Sequence, residues 1–92
     1  MESLRHLSIC KGLDKEKIVE CVSKGLHNSF GSSESRDLTL LTLSVVYGLD
    51  EKDIPSSLDL FEWLIEKVFG ESAAHMILNN IANECKKYYM RN

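Results

Sequence analysis

The sequence predicts an all-α domain, a single compact orthogonal bundle of four to five helices. Three observations predict it. Apolar residues recur at three- and four-residue spacing through most of the chain, the period of one helix face. Glycines and Ser or Asp caps fall between the periodic segments, where helices stop and start. The 92 residues suffice for one domain, which at this size buries roughly 60–65% of the surface exposed on unfolding. Apolar residues make up 43% and charged residues 27%, with one proline and five glycines, the composition of an ordinary globular domain.

Residues 1–12, with Leu4, Leu7 and Ile9, read as a short, frayed N-terminal helix. Asp14 is placed as an N-cap, and Leu13 and Ile18 stand one residue before it and four after, the positions of a hydrophobic staple. Ile18, Val22, Leu26 and Phe30 then recur every four residues beside Val19, predicting an amphipathic helix that ends at Gly31. Gly25 sits in its middle and costs about 1 kcal/mol of helix propensity relative to Ala. Residues 32–35 form a turn and cap. Beyond it Leu38, Leu41 and Val45 mark one face of a helix and Leu40, Leu43 and Tyr47 another, so this helix is expected at the centre of the bundle. The alternation over 41–45 also suits a half-buried strand. Helix is preferred because a serine cap opens the segment, Gly48 closes it, and Leu49 can fold back in a Schellman contact.

Residues 50–55 form a connection with room for one helical turn. Ser56 or Ser57 caps the next helix, with Asp59 in its first turn. Leu58, Phe61, Leu64 or Ile65, and Val68 form its inner face, and it ends at Phe69-Gly70. The last helix spans 72–89 with Ala74, Ile77, Leu78, Ile81, Cys85 and Tyr88 as its buried stripe. Lys86, Lys87 and Arg91 suit its C-terminal dipole. Gly12-Leu13-Asp14 recurs as Gly48-Leu49-Asp50, and Phe30-Gly31 recurs as Phe69-Gly70. Repeated helix punctuation accounts for this, and a duplicated helical pair is the alternative.

The net charge of −3 is unevenly spread: +1 over 1–24, −7 over 25–84 and +3 over 85–92. An acidic body repels the phosphates that supply most nonspecific nucleic-acid affinity. Direct nucleic-acid contact is therefore expected only through the basic C-terminal end. The longest uncharged stretches, 38–49 and 72–83, fall far short of the roughly 20 residues that span a bilayer. No membrane association or targeting segment is expected. Cys10, Cys21 and Cys85 are odd in number, widely spaced and without a C-x-x-C motif. They read as reduced thiols of a cytoplasmic protein, Cys21 and Cys85 being small core residues. His6 and Cys10 stand four apart, but two ligands do not make a structural zinc site. No metal and no cofactor is expected. No nucleophile elbow, zinc-protease, P-loop or dinucleotide motif occurs. The acidic run 50–53 lacks the glycine and terminal glutamate of a calcium loop. Neither His27 nor His75 has a nucleophile nearby in sequence, which leaves no catalytic residue to name.

What remains is recognition. If the inner face of the third long helix is as assigned, Leu60, Trp63 and Lys67 point elsewhere, and tryptophan is a frequent partner anchor. The alternative is that Trp63 covers the edge of its own core. Tyr88, Tyr89 and Arg91 offer aromatics beside cations as a second contact. Asn79, Asn80 and Asn83 share an outer face, read as solvated polar surface.

Tyr47-Gly48-Leu49, Asp53-Ile54-Pro55, Phe61, Val68-Phe69-Gly70 with Ala73 or Ala74, and Ile77 and Ile81 resemble the pattern of the small archaeal Nitrosopumilus output domain family. Lys24-Gly25-Leu26 and the turn near Gly31 extend the likeness over about residues 20–85. The N-terminal segment and the serine-rich turn 32–35 depart from it. The resemblance implies a helical output module without a catalytic motif, and an archaeal source. In size and helical character the chain is also similar to small accessory subunits of archaeal replicative DNA polymerase. The expectation is a non-catalytic protein-protein interaction module, an accessory subunit of a larger complex such as a DNA-processing machine. A nucleic-acid-binding or signalling-output regulator is the alternative.

Overall fold

The structure, a computed structural model, describes residues 6–90. Four α-helices follow one another: α1 (Lys15–Phe30), α2 (Ser33–Tyr47), α3 (Leu58–Phe69) and α4 (Glu71–Met90). Two 3-10 turns, Ser8–Gly12 and Glu51–Ser56, precede α1 and α3. No strand occurs among the described residues, so the all-α bundle is the fold and residues 38–47 are helical.

α1 and α4 form the principal interface. They run antiparallel: Glu20 meets Tyr88, Asn28 meets Glu84 and Ser29 meets Asn80. Ile18, Cys21, Val22 and Leu26 of α1 are buried with Ala74, Ile77, Leu78, Ile81 and Cys85 of α4. Gly25 explains itself here. A Cβ on it would lie 2.6 Å from the Ile81 Cα and 2.7 Å from its backbone N. The glycine that weakens α1 as a helix lets α4 approach it, backbone to backbone. α3 completes the core with Leu58, Phe61, Leu64 and Ile65.

The helix ends follow the expected chemistry in part. Ser32 Oγ accepts the Ser35 amide and caps α2. At the other end Gly48 adopts φ +73°, the left-handed region that costs a side-chain-bearing residue steric strain. The Leu49 amide donates to the Leu43 carbonyl and the Gly48 amide to that of Ser44, a Schellman closure that buries Leu49. Asp14 stands at the N-cap of α1 but makes no side-chain cap bond; its carboxylate pairs with Lys17 at 3.8 Å. Gly12, unlike Gly48, has no positive φ, so the two Gly-Leu-Asp segments do not share a backbone conformation.

Four expectations are corrected. The N-terminal segment is short and helical as expected, a 3-10 turn over Ser8–Gly12, but it is not frayed there; residues 1–5 lie outside the described residues. It is a strap along α4, with Leu7 and Cys10 fully buried. The cysteines are not all reduced: Cys10 and Cys85 form a disulfide across a sequence separation of 75. The strap puts Cys10 beside Cys85, a juxtaposition invisible in their linear spacing. Cys21 is a buried core thiol, as expected. α2 is not central, because Leu43 is its only buried residue. Val68, assigned to the inner face of α3, is 40% exposed; in that turn Phe69, not Val68, packs against the core.

Buried Glu62 on α3 fastens the strap. Its Oε1 accepts the backbone amides of His6 (3.2 Å) and Leu7 (3.1 Å). Its Oε2 lies 3.5 Å from His6 Nδ1. An acceptor carboxylate aimed at amides that no helix satisfies offsets part of its own desolvation. The strap is thus held by carboxylate, disulfide and apolar burial together.

Candidate functional site

The most conspicuous surface was not among the residues singled out in the sequence. α2 packs through Leu43, with Leu40 half-buried against the core. On the side away from Leu43, Leu38, Leu41 and Val45 are 64, 58 and 72% exposed, and Val46 on the flank is 64% exposed. Leu38, Leu41 and Val45 stand three and four residues apart, so they form one stripe along the helix. The three side chains of the stripe expose on the order of 300 Å² of apolar surface, the size at which a patch on a monomer is commonly functional. The signal was present as two apolar faces on one helix, read as the mark of a central helix. A helix with one face for its own core and one for another molecule has the same pattern.

Beside the stripe lies a groove of about 200 Å³, lined by Leu38, Thr39, Thr42 and Leu43 of α2 and by Val68 and Phe69 of α3. Phe69 also lies against Phe30 at the end of α1, the two rings tilted with centroids 5.5 Å apart. Thr39 and Thr42 turn their hydroxyls back to the Ser35 and Leu38 carbonyls, leaving their methyl groups as the polar-free part of each side chain.

The second surface was anticipated. Leu60, Trp63 and Lys67 share the outer face of α3, with Leu60 42% and Trp63 53% exposed. Lys67 Nζ lies 5.0 Å from the Trp63 ring centroid, a cation–π contact that holds the indole against its helix. Trp63 is not among the buried core residues. No protein-family model, curated protein or solved structure matches the chain.

The C-terminal residues do not join that face as one patch. Tyr88 is half-buried; its hydroxyl donates to Glu20, and Lys17 stands 5.7 Å over its ring. It therefore serves the α1–α4 packing. Tyr89 is 51% exposed, with its phenol against Gly12 of the strap. Arg91 lies outside the described residues. Asn79 bonds to His75 and Asn80 donates to Ser29, so two of the three outward asparagines are engaged within the fold.

One cluster of ionisable groups assembles only in three dimensions. His6 Nε2 meets His75 Nδ1 at 3.0 Å, and His75 Nε2 meets Asn79 Nδ2 at 3.1 Å. Glu66, Glu71 and Ser72 border the same hollow. Each imidazole is already engaged, and no hydrogen bond links Ser72 to either ring. Among the described residues no group of three His, Cys, Asp or Glu side chains is placed to hold a metal ion. The arrangement joins the strap to the first turns of α4.

Proposed function

We propose that this chain is a non-catalytic protein-binding module, an accessory subunit that docks onto a larger protein partner. The observation that carries the reading is the apolar stripe of α2, turned away from the core. A small domain gains nothing in its own stability from leaving four large aliphatic side chains in water, whereas burial against a partner removes that surface from water. Leu60 and Trp63 on α3 supply a second anchor of the kind that concentrates binding energy. The fastening role of the His6–Glu62 contacts also supports a non-catalytic reading. The nucleic-acid alternative is less well supported, because the segment that presents the stripe is bounded by exposed carboxylates.

The test is affinity capture by the tagged full chain from its native lysate, with and without nuclease. Three variants are run in parallel: Leu41→Ser/Val45→Ser, Trp63→Ala, and a Lys86→Ala control. One protein recovered in stoichiometric yield in both nuclease conditions, and lost with the α2 pair, supports the reading. A partner released by nuclease, or one retained at wild-type yield by both surface variants, refutes it. Far-UV circular dichroism of each variant should match the wild type, since none of these side chains is buried. Recovery of a DNA-processing enzyme would place the module in that class of machine.

A further inference from the structure

We infer that the occupant of the α2 stripe is a single amphipathic helix with Lys or Arg at both of its ends. This rests on the binding-module reading and specifies the partner's chemistry.

The spacing selects a helix. Leu38, Leu41 and Val45 repeat at three and four residues, the geometry that interdigitates with a similar stripe on a second helix. The groove formed with Val68 and Phe69 adjoins Leu38 and is apolar, so it admits an aliphatic side chain from the same ligand. α2 runs from Ser33 to Tyr47, a rise of roughly 22 Å, which a partner helix of about 15–18 residues spans.

The ends select the charge. Residues 38–49 carry no formal charge. At one end stand Glu34 and Asp37, with Arg36 already paired to Asp37 at 3.0 Å. At the other stand Asp50, whose carboxylate accepts from Ser44 Oγ, Asp53, and Glu51, which borders a hollow shared with Lys17, Lys24 and Arg36; Lys52 is the one cation within residues 50–53. All five carboxylates are on exposed residues. The stripe is thus an uncharged strip between two acidic ends.

The same pattern argues against a second copy of this chain. In an antiparallel two-fold pairing, the Glu34 end of one α2 faces the Asp50–Asp53 end of the other; in a parallel pairing each acidic end faces its own image. Both place like charges together at both ends, which costs affinity and suppresses that partner. An anionic membrane surface is repelled for the same reason. A helix with cationic ends meets attraction at both.

The experiment uses fluorescence anisotropy with the full, disulfide-bonded chain and two labelled synthetic peptides of about 18 residues. Both peptides carry leucines at three- and four-residue spacing; one has lysines at both ends and the other glutamates. At low salt the lysine-ended peptide should bind at least about tenfold more tightly, and the gap should close near 1 M salt, where the Debye length falls to about 3 Å. Leu41→Ser/Val45→Ser should weaken the lysine-ended peptide at least about tenfold, in line with loss of a central apolar contact, while Asn83→Ala, an exposed position on α4, leaves it unchanged. Equal binding of the two peptides at low salt, or full binding by the α2 variant, overturns the inference. So does a chain that sediments as a dimer and becomes monomeric on Leu41→Ser/Val45→Ser, because the occupant is then a second copy. If the α2 variant loses the captured protein while the peptides are not discriminated, the binding-module reading stands and the basic-ended helix fails. Loss of both removes both.

Discussion

Gly25→Ala tests the packing at the centre of the fold, because two effects of opposite sign compete there. Alanine raises helix propensity by about 1 kcal/mol over glycine. By that rule alone the variant is more stable. The structure reverses the sign. The added Cβ would stand 2.6 and 2.7 Å from the Ile81 Cα and N, against an optimum of roughly 3.5–4.0 Å. These are backbone atoms, so no rotamer change relieves the overlap. α1 and α4 must separate by about 1 Å at their crossing, enough to forfeit a quarter to a half of the dispersion attraction of the atoms concerned. Overpacking of this kind costs about 1–3 kcal/mol, and a backbone obstacle in the principal interface belongs at the upper end. Net of the propensity gain, Gly25→Ala should destabilise by about 2 kcal/mol and lower the melting temperature by roughly 8–16 °C. Urea unfolding followed at 222 nm, under conditions that keep the disulfide, measures it. Ile81→Ala is the control background: it removes the side-chain overlap but neither backbone atom, so the Gly25→Ala penalty should persist within it. A Gly25→Ala protein as stable as the wild type refutes the close approach. A penalty that vanishes in Ile81→Ala shows instead that the side chain was the obstacle.

Two further outcomes follow from the strap. Thiol titration of the denatured chain should find one thiol, that of Cys21, and three after reduction. Because the bridge closes a separation of 75 residues, reduction should lower unfolding free energy by about 4 kcal/mol; an unchanged urea midpoint after verified reduction would count against the bridge as a stabiliser. Glu62→Ala removes the acceptor shared by the His6 and Leu7 amides and should cost about 2 kcal/mol, the range for hydrogen bonds to a charged group. Amide exchange over residues 6–12 should accelerate while the disulfide stays formed; unaltered exchange there would mean that the carboxylate does not hold the strap.

What local chemistry writes into the chain was legible from it: the periods of α1, α3 and α4, the serine that caps α2, and the Gly48–Leu49 closure. Each depends on residues within a few positions of one another, so spacing reveals it. Trp63 with Lys67 on an outer face was legible too, because the buried side of α3 fixes the opposite one. Tertiary structure decided the rest. Cys10 and Cys85 are 75 residues apart, and only the strap brings them together. Gly25 reads as a weak point until Ile81 stands against it. Most consequentially, α2 has two apolar faces, and periodicity cannot say which of them the core will take. Leu43 was taken and Leu41 left in water because the neighbouring helices fill one side of α2 and not the other.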